Sequence, residues 1–530
     1  MKIIIKNNEF SFKGINIPLP ELYFILQQAN KSLEDDLEVA TSKIKHFDNG
    51  QHLWAMTWSP IRLDDLQGVG LYYFIKEVID YLKLNQDKSS ITLEGEFDRY
   101  FKKYLQKNYP EVIIKKISSK SHIKSTIGYH LGPLKYIAKA ILKKKNSDKI
   151  NGQVWMSAPL NIVKHRYKHL LERISLTKSF YGGTLDRIVN TENKGEPINF
   201  ICYLTFSDMF ASFRKAIILN RAKKSIKPIK LVDYAIQNSR VQHLLATILK
   251  EKSVANTIKT NKPERILFTT ANTYPPARIV ARQAYLNQIP FIVVACRHMF
   301  TKARLEERLI NADIHKINDA HVADAYAVWD EYSKQTLIEQ GVSADAIYVT
   351  NPDPAHSPKI KATQKFENSL LILFTHEENL NQKLIEELLK LKSSEDIIIR
   401  QHPLKPLTVS QFEALNGKFN TITDITFKDF NNFEFINVMA ITVNSTAIIE
   451  AVSHGCGAIW MPYLNARSLL FFEIMNKLGI MVESIQDLEN LLNRSDNVLQ
   501  EVIANCQKVY KNKFKAKDQT AEFLEQMKLI

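Results

Sequence analysis

Short apolar runs bounded by polar or breaking residues recur along this chain, and most are followed by a stretch whose apolar positions have helical spacing. In the first part the runs are HLWAMTWS, SSITLEGEF, EVIIKKI, GQVWMSA, NFICYLTFS, RILFTTA and FIVVACRH. GLYYFIKEVIDYLKL, after the first of them, reads as a helix. A second series follows with SLLILFT, DIIIRQHP, VMAITVNS, GAIWMPY and GIMVES. Strands that alternate with helices predict βαβ units and parallel sheets. Strands buried on both faces carry continuous apolar runs of this kind.

The segment between the two series, NPDPAHSPKIKATQKFENS, is rich in proline, lysine and polar residues and reads as a linker. The expected organisation is a first domain over residues 1–350, a linker over 351–368, a second domain over 369–515 and a tail helix over 516–530. The stretch NVLQEVIANCQKVYKNKF is expected to cross back to the first domain. Two such domains would face each other across a cleft, with strand ends from both turned toward it.

Composition sharpens the class. Of 530 residues 45% are hydrophobic and 24% charged, which is ordinary for a soluble globular protein. Cys202, Cys296, Cys456 and Cys506 are scattered and form no C-x-x-C pair, which argues against a zinc site or a disulfide framework and fits a reducing cytosol. The start, MKIIIKNNEFSF, does not read as a signal peptide, and no run approaches the roughly 18 apolar residues of a membrane span. An intracellular, soluble protein is expected. Its net charge is +15, and residues 115–149 hold ten lysines against one acid, Asp148. Such a segment suits an anionic membrane surface or polymer, or it is a solvated face. It contains no arginine to read base edges, so nucleic acid is not the expected partner.

Candidate chemistry concentrates in the second series. RQHPLKP ends an apolar strand with Arg400 and His402, at the sheet edge where ligands of open α/β sheets bind. After VMAITV comes NSTAIIEAVSHGCGAIWMPY, in which Asn444, Ser445 and Thr446 are natural N-cap residues of a short helix ending at Gly455. A helix start and two hydroxyls suit a phosphate, and Glu450, on the same helix face as Thr446, suits ribose hydroxyls. The plain alternative is a capped helix with a solvated glutamate.

Together, RQHP and NSTAIIEAVSHGCGAIWMPY resemble the donor-binding domain of GT-B glycosyltransferases. The likeness is to bacterial surface-polysaccharide enzymes with cytidine-activated donors: sialyltransferases, Kdo and other ulosonic-acid transferases, and CDP-polyol phosphotransferases of teichoic acid synthesis. It covers residues 365–515, and the first domain in architecture only. The resemblance implies an α/β GT-B fold of two Rossmann-like domains with parallel sheets facing an interdomain cleft. It implies that His402, Ser445 and Thr446 contact the nucleotide phosphate, with Arg400 and Glu450 completing the donor site. The substrates it implies are a CMP-linked ulosonic acid (sialic, pseudaminic or Kdo type) and a glycan or lipid-linked glycan acceptor of capsule or lipopolysaccharide. No separate cofactor and no metal are implied. The setting implied is the inner face of the cytoplasmic membrane, contacted through residues 115–149. Rival readings are a CDP-polyol phosphotransferase, a UDP- or GDP-hexose transferase, and a non-catalytic protein that binds anionic glycan or nucleic acid.

The sequence departs from that family where a Gln-His-Gly is common. FIVVACRHMF keeps His298 but changes its neighbours, making Arg297 and His298, with Asp64, candidates for acceptor binding. Glycosyl transfer also needs a group to take the acceptor proton. Asp65 in LDDLQG, Glu94 in LEGEF and Glu378 in THEEN are the candidate acids, in that order; the plain alternative for the pairs Asp64–Asp65 and Glu377–Glu378 is helix-start acids favoured by the dipole. The chain has no Asp-x-Asp, no G-x-x-x-x-G-K-[ST] and no G-x-G-x-x-G, which disfavours metal-held diphosphate, kinase and dinucleotide chemistry.

Overall fold

The computed structural model describes residues 2–42, 68–116, 203–268, 275–295, 323–350 and 362–529, short gaps excepted, with 137–138, 154–157, 178–180 and 196–197 between them. The chain divides into two compact units. The first comprises Met1–Val328, Lys334–Tyr348 and Gln519–Ile530, and the second Trp329–Ser333 and Val349–Asp518.

The first unit holds two sheets, where a single one was expected. In the smaller, a hairpin of β1 (Lys2–Lys6) and β2 (Glu9–Lys13) continues through parallel strands β3 (Thr92–Gly95) and β4 (Ile113–Lys116), in the order β2-β1-β3-β4. The larger comprises β5 (Val154–Ser157), β6 (Lys178–Phe180), β7 (Glu196–Pro197), β8 (Arg265–Phe268), β9 (Phe291–Val294), β10 (Ala325–Val328) and β11 (Ile347–Val349). Its order is β11-β10-β9-β8-β5-β6-β7, with a reversal between β5 and β8. The loops leaving those two strands lie outside the described residues, as does the expected strand HLWAMTWS.

The second unit repeats the plan. Its main sheet contains β13 (Leu370–Leu373), β14 (Ile397–Arg400), β15 (Ile422–Asp424), β17 (Met439–Thr442), β18 (Gly457–Trp460) and β19 (Ile480–Met481). All pairings are parallel, in the doubly wound order β15-β14-β13-β17-β18-β19. Every residue of β13, β17 and β18 is buried, as a sheet covered on both faces requires. Leu370, Ile372, Ile399, Met439, Ile441 and Ile459 anchor the core beneath the helices. Cys456 and Cys506 are buried free thiols, and burial pushes both above their ordinary range.

Three expectations change. Part of the linker is a strand: β12 (Gln364–Glu367) pairs in parallel with β16 (Phe433–Ile436). The run NFICYLTFS does not continue as a strand past residue 202. Thr205 instead caps the helix Phe206–Lys224 and exchanges a capping box with Asp208, a local hydrogen-bond pattern that outweighs the β-forming composition. The helix Asp496–Lys513 stays in the second unit, where Gln507 donates to the carbonyl of Val452. It is Thr520–Gln526 that belongs to the first unit, with the Phe523 ring 5.6 Å from that of Tyr348. No helix among the described residues is long and apolar enough to cross a membrane.

Gly95 sits at φ +136°, and a Cβ there would lie 2.0 Å from the Ile5 carbonyl oxygen of the paired strand. Gly95→Ala should therefore destabilise the protein by about 2 kcal/mol or more in urea unfolding. A loss within error of zero would refute this close approach.

Lys223 lies on the buried face of Phe206–Lys224 with Met209, Ala216 and Leu219. Burial, helped by the charge of Lys224, pushes its ammonium down to about 8. The unfolded chain, with the ordinary value of 10.5, binds that proton more tightly, so stability rises with pH between about 8 and 10.5. Lys223→Met should melt higher than the native protein at pH 7, and its advantage should shrink as pH climbs toward 10. A pH-independent difference would remove the buried charge as its cause.

Candidate functional site

The main sheet of the second unit reverses between β13 and β17, and connections on the two sides of such a point open a crevice at the carboxyl edge. Register aligns the strand ends there. Leu373 lies opposite Arg400 and Thr442, and Thr442 lies opposite Trp460. The three loops leaving β13, β14 and β17 thus start from one line.

Each loop is tied by its own hydrogen bonds. After β13, the Thr375 N–H donates to Asn381 Oδ1 at 2.9 Å, and Asn381 Nδ2 donates back to the Thr375 carbonyl at 3.0 Å. Asn381 is buried, which makes this pair costly to break. His376 follows, exposed, and then Glu378 opens the helix Glu378–Leu388 with its side chain exposed. After β14, the Gln401 N–H donates to Thr426 Oγ1 at 2.8 Å, and Gln401 Oε1 accepts from the Leu407 N–H at 2.6 Å. His402, half-buried, comes next, and its carbonyl accepts from the Lys405 N–H at 2.9 Å. The His376 and His402 rings stand 5.7 Å apart.

After β17, buried Thr442 accepts from the Ser445 N–H at 2.9 Å and donates to the Leu373 carbonyl at 3.3 Å. Trp460 Nε1 donates to the Val443 carbonyl at 2.9 Å. The helix runs over Ala447–Ser453, and Gly455 follows it at φ +104°, so its end falls where the sequence put it. Its start differs. Thr446 occupies the N-cap position in helical conformation, and its side chain makes no capping bond. Thr442 fixes the turn instead. Asn444 Oδ1 is buried without a hydrogen-bond partner among the described residues.

Arg400 and Glu450 were expected to meet phosphate and ribose. They meet each other: Arg400 Nη1 lies 2.9 Å from Glu450 Oε2, both side chains being partly shielded. The guanidinium also sits 4.2 Å from the centre of the Phe430 ring. Phe430 in turn packs against His454, whose Nε2 is 3.2 Å from Asn431 Oδ1. The cation is therefore largely balanced within the protein.

Of the other sequence candidates, Glu94 lies on β3 in the smaller sheet of the first unit, ion-paired to Lys2 at 2.6 Å. Asp64, Asp65, Arg297 and His298 lie outside the described residues, as do all lysines of the 115–149 segment except Lys115 and Lys116. Three residues went unnoticed in the sequence. His376 stands in LLILFTH as His402 stands in IIIRQH, a histidine close behind an apolar run, and the same reasoning finds it. Gln401 and Thr442 order their loops, and only tertiary contacts identify them.

No family model matches the sequence, and no curated protein matches it. Among solved structures, MurG from Acinetobacter baumannii is 13% identical, over 72% of this chain and 100% of its own, with a TM-score of 0.39. The wall teichoic acid polymerase TagF, after a soak with CDPG, is 10% identical over 77% of this chain and 98% of its own, with a TM-score of 0.40. The MnaA–UDP structure from S. aureus is 12% identical over 72% of this chain and 98% of its own, with a TM-score of 0.39. TM-scores this low define no residue-by-residue correspondence, so the chemistry rests on the site's own geometry.

A double-mutant cycle tests the Arg400–Glu450 pair. Glu450→Gln and Arg400→Met should each lower stability, and together they should cost less than their sum by about 1 kcal/mol. Strict additivity in urea unfolding would mean that the pair contributes nothing to the fold.

Proposed function

We propose that the chain is a GT-B glycosyltransferase whose second unit holds the nucleotide of an activated sugar at the carboxyl edge of its sheet. The observation that carries this reading is the approach of His376 and His402 to 5.7 Å at the reversal point of a doubly wound sheet. Two imidazoles there can neutralise a phosphate while Arg400 stays engaged with Glu450. Ser445 and Thr446, on the loop after the neighbouring strand, supply hydroxyl donors.

In the reaction, an acceptor hydroxyl oxygen bonds to the anomeric carbon as the bond from that carbon to the phosphate oxygen breaks. The electron pair leaves with the nucleotide, and the histidines stabilise its charge. A carboxylate takes the acceptor proton. Asp65, Glu94 and Glu378 remain the candidates, and Glu378 accompanies His376 on the same turn. No step calls for a metal ion.

The donor in this reading is a CMP-linked ulosonic acid, and the acceptor is a capsule or lipopolysaccharide glycan. The support is the RQHP and NSTAIIEAVSHG motifs, whose histidine and hydroxyls follow the two strands that flank β13 in one sheet. The lysine-rich residues 115–149 would hold the enzyme at an anionic inner membrane face.

Melting with CMP, CDP, UDP and GDP tests the reading. CMP at a hundredfold excess over its Kd should stabilise the protein by about 2.7 kcal/mol. His402→Ala should lower transfer by about 10²–10³-fold with the fold intact, and His376→Ala should act in the same direction. Activity should survive EDTA. If no nucleotide moves the melting temperature, the protein is not a nucleotide-sugar transferase; if CDP or UDP acts instead of CMP, the ulosonic-acid donor falls.

A further inference from the structure

The helix Phe206–Lys224 of the first unit carries two apolar lines side by side. Met209, Ala216 and Leu219 are buried on one. On the other, Phe206, Phe210, Phe213 and Ile217 are 61%, 78%, 48% and 43% exposed. Steps of four, three and four residues place these four along one line of the helix. A contiguous apolar stripe in water marks a contact surface where isolated residues do not.

The charge around the stripe is one-sided. Arg221 and Lys224 extend the same line for its last turns, and Arg214 stands beside it, all three exposed. Asp208, the acid of this helix, is engaged in the capping box and with Asn256 Nδ2 at 2.8 Å. Lys227 and Ile229 continue the exposed basic and apolar surface beyond the helix end.

We propose that this face seats on an anionic lipid bilayer, with Phe210, Phe213 and Ile217 entering the headgroup boundary and Arg214, Arg221 and Lys224 meeting lipid phosphates. Phenylalanines bordered by arginine and lysine on one helix suit that interface. A second copy of the chain is the poorer occupant. A two-fold contact would gather the cations of both copies into one interface, in a chain that already carries +15. An anionic bilayer complements the apolar stripe and the charge together. The surface is independent of the transferase reading and of the lysine segment.

Vesicle sedimentation tests this, using phosphatidylglycerol mixed with phosphatidylcholine beside phosphatidylcholine alone. The native chain should prefer the anionic vesicles. Phe210→Ser, Phe213→Ser and Ile217→Ser combined should weaken partitioning by about tenfold or more at unchanged charge. Arg214→Gln, Arg221→Gln and Lys224→Gln combined should abolish the preference for anionic lipid. Phe210→Leu should bind as the native chain does. As a check that does not depend on a multiple variant folding, Phe210→Trp in the otherwise native protein should add fluorescence that brominated lipids quench. The CMP-dependent melting shift should be the same in every variant, which separates this surface from the nucleotide site. Native-like sedimentation of the triple serine variant, or an unquenched Trp at position 210, would overturn the proposal. So would a native dimer that the serine substitutions convert to monomer, which would give the face to a second copy.

Discussion

The alignment of strand ends in the second unit is the constraint on which its candidate site depends. Arg400, Leu373, Thr442 and Trp460 lie on one line across four parallel strands. A parallel ladder fixes where each strand stands relative to its neighbours, and a slip of one residue would turn every side chain to the opposite face. The first loop residues after that line are therefore delivered to one edge together. His376 and His402 meet there because their strands are adjacent and in register, although 25 residues of sequence and a helix separate them.

Backbone geometry alone would leave those loops loose. They are held by buried or partly buried polar groups that each complete a local pattern: Asn381 for the loop after β13, Gln401 for the loop after β14, Thr442 and Trp460 for the loop after β17. In the interior such bonds are expensive to leave unmade, so they restrict the backbone more than their modest net contribution to stability suggests. The Arg400–Glu450 pair works the same way. It joins the end of β14 to the helix after β17, with Phe430 over the guanidinium. Its consequence is electrostatic as well. With the arginine balanced, His376, His402 and the exposed Lys405 are what this edge offers a phosphate in the proposed reading.

The chain applies one architecture twice. Both larger sheets are doubly wound, with the reversal next to the first strand of each, β5 in one and β13 in the other. The additions belong to the first unit. A separate sheet of β1 to β4 is joined by a glycine that admits the Ile5 carbonyl, and a helix carries a second apolar face outward. The same helix holds Lys223 on its buried side, among apolar residues, and exposes phenylalanines on the line beside it.

What the sequence determined by itself was the class and the place. The runs SLLILFT, DIIIRQHP, VMAITVNS, GAIWMPY and GIMVES each became a strand of one parallel sheet, because unbroken apolar stretches flanked by helices have few other ways to be buried. His402 was found because a polar residue directly behind such a run must emerge at the sheet edge. His376 was equally legible by that rule. The tertiary structure decided the pairings. Arg400 and Glu450 are fifty residues apart, and no periodicity brings a strand end onto a helix two strands away. The role of Thr442 over that of Thr446 in setting the turn depended on the neighbouring Leu373 carbonyl. Capping at Thr205 prevailed over a strand-like composition, and Gln364–Glu367 became a strand only because Phe433–Ile436 lay ready to pair with it. Local pattern fixes what a segment can bury; which neighbour it meets depends on contacts distant in sequence, formed only when the chain closes on itself.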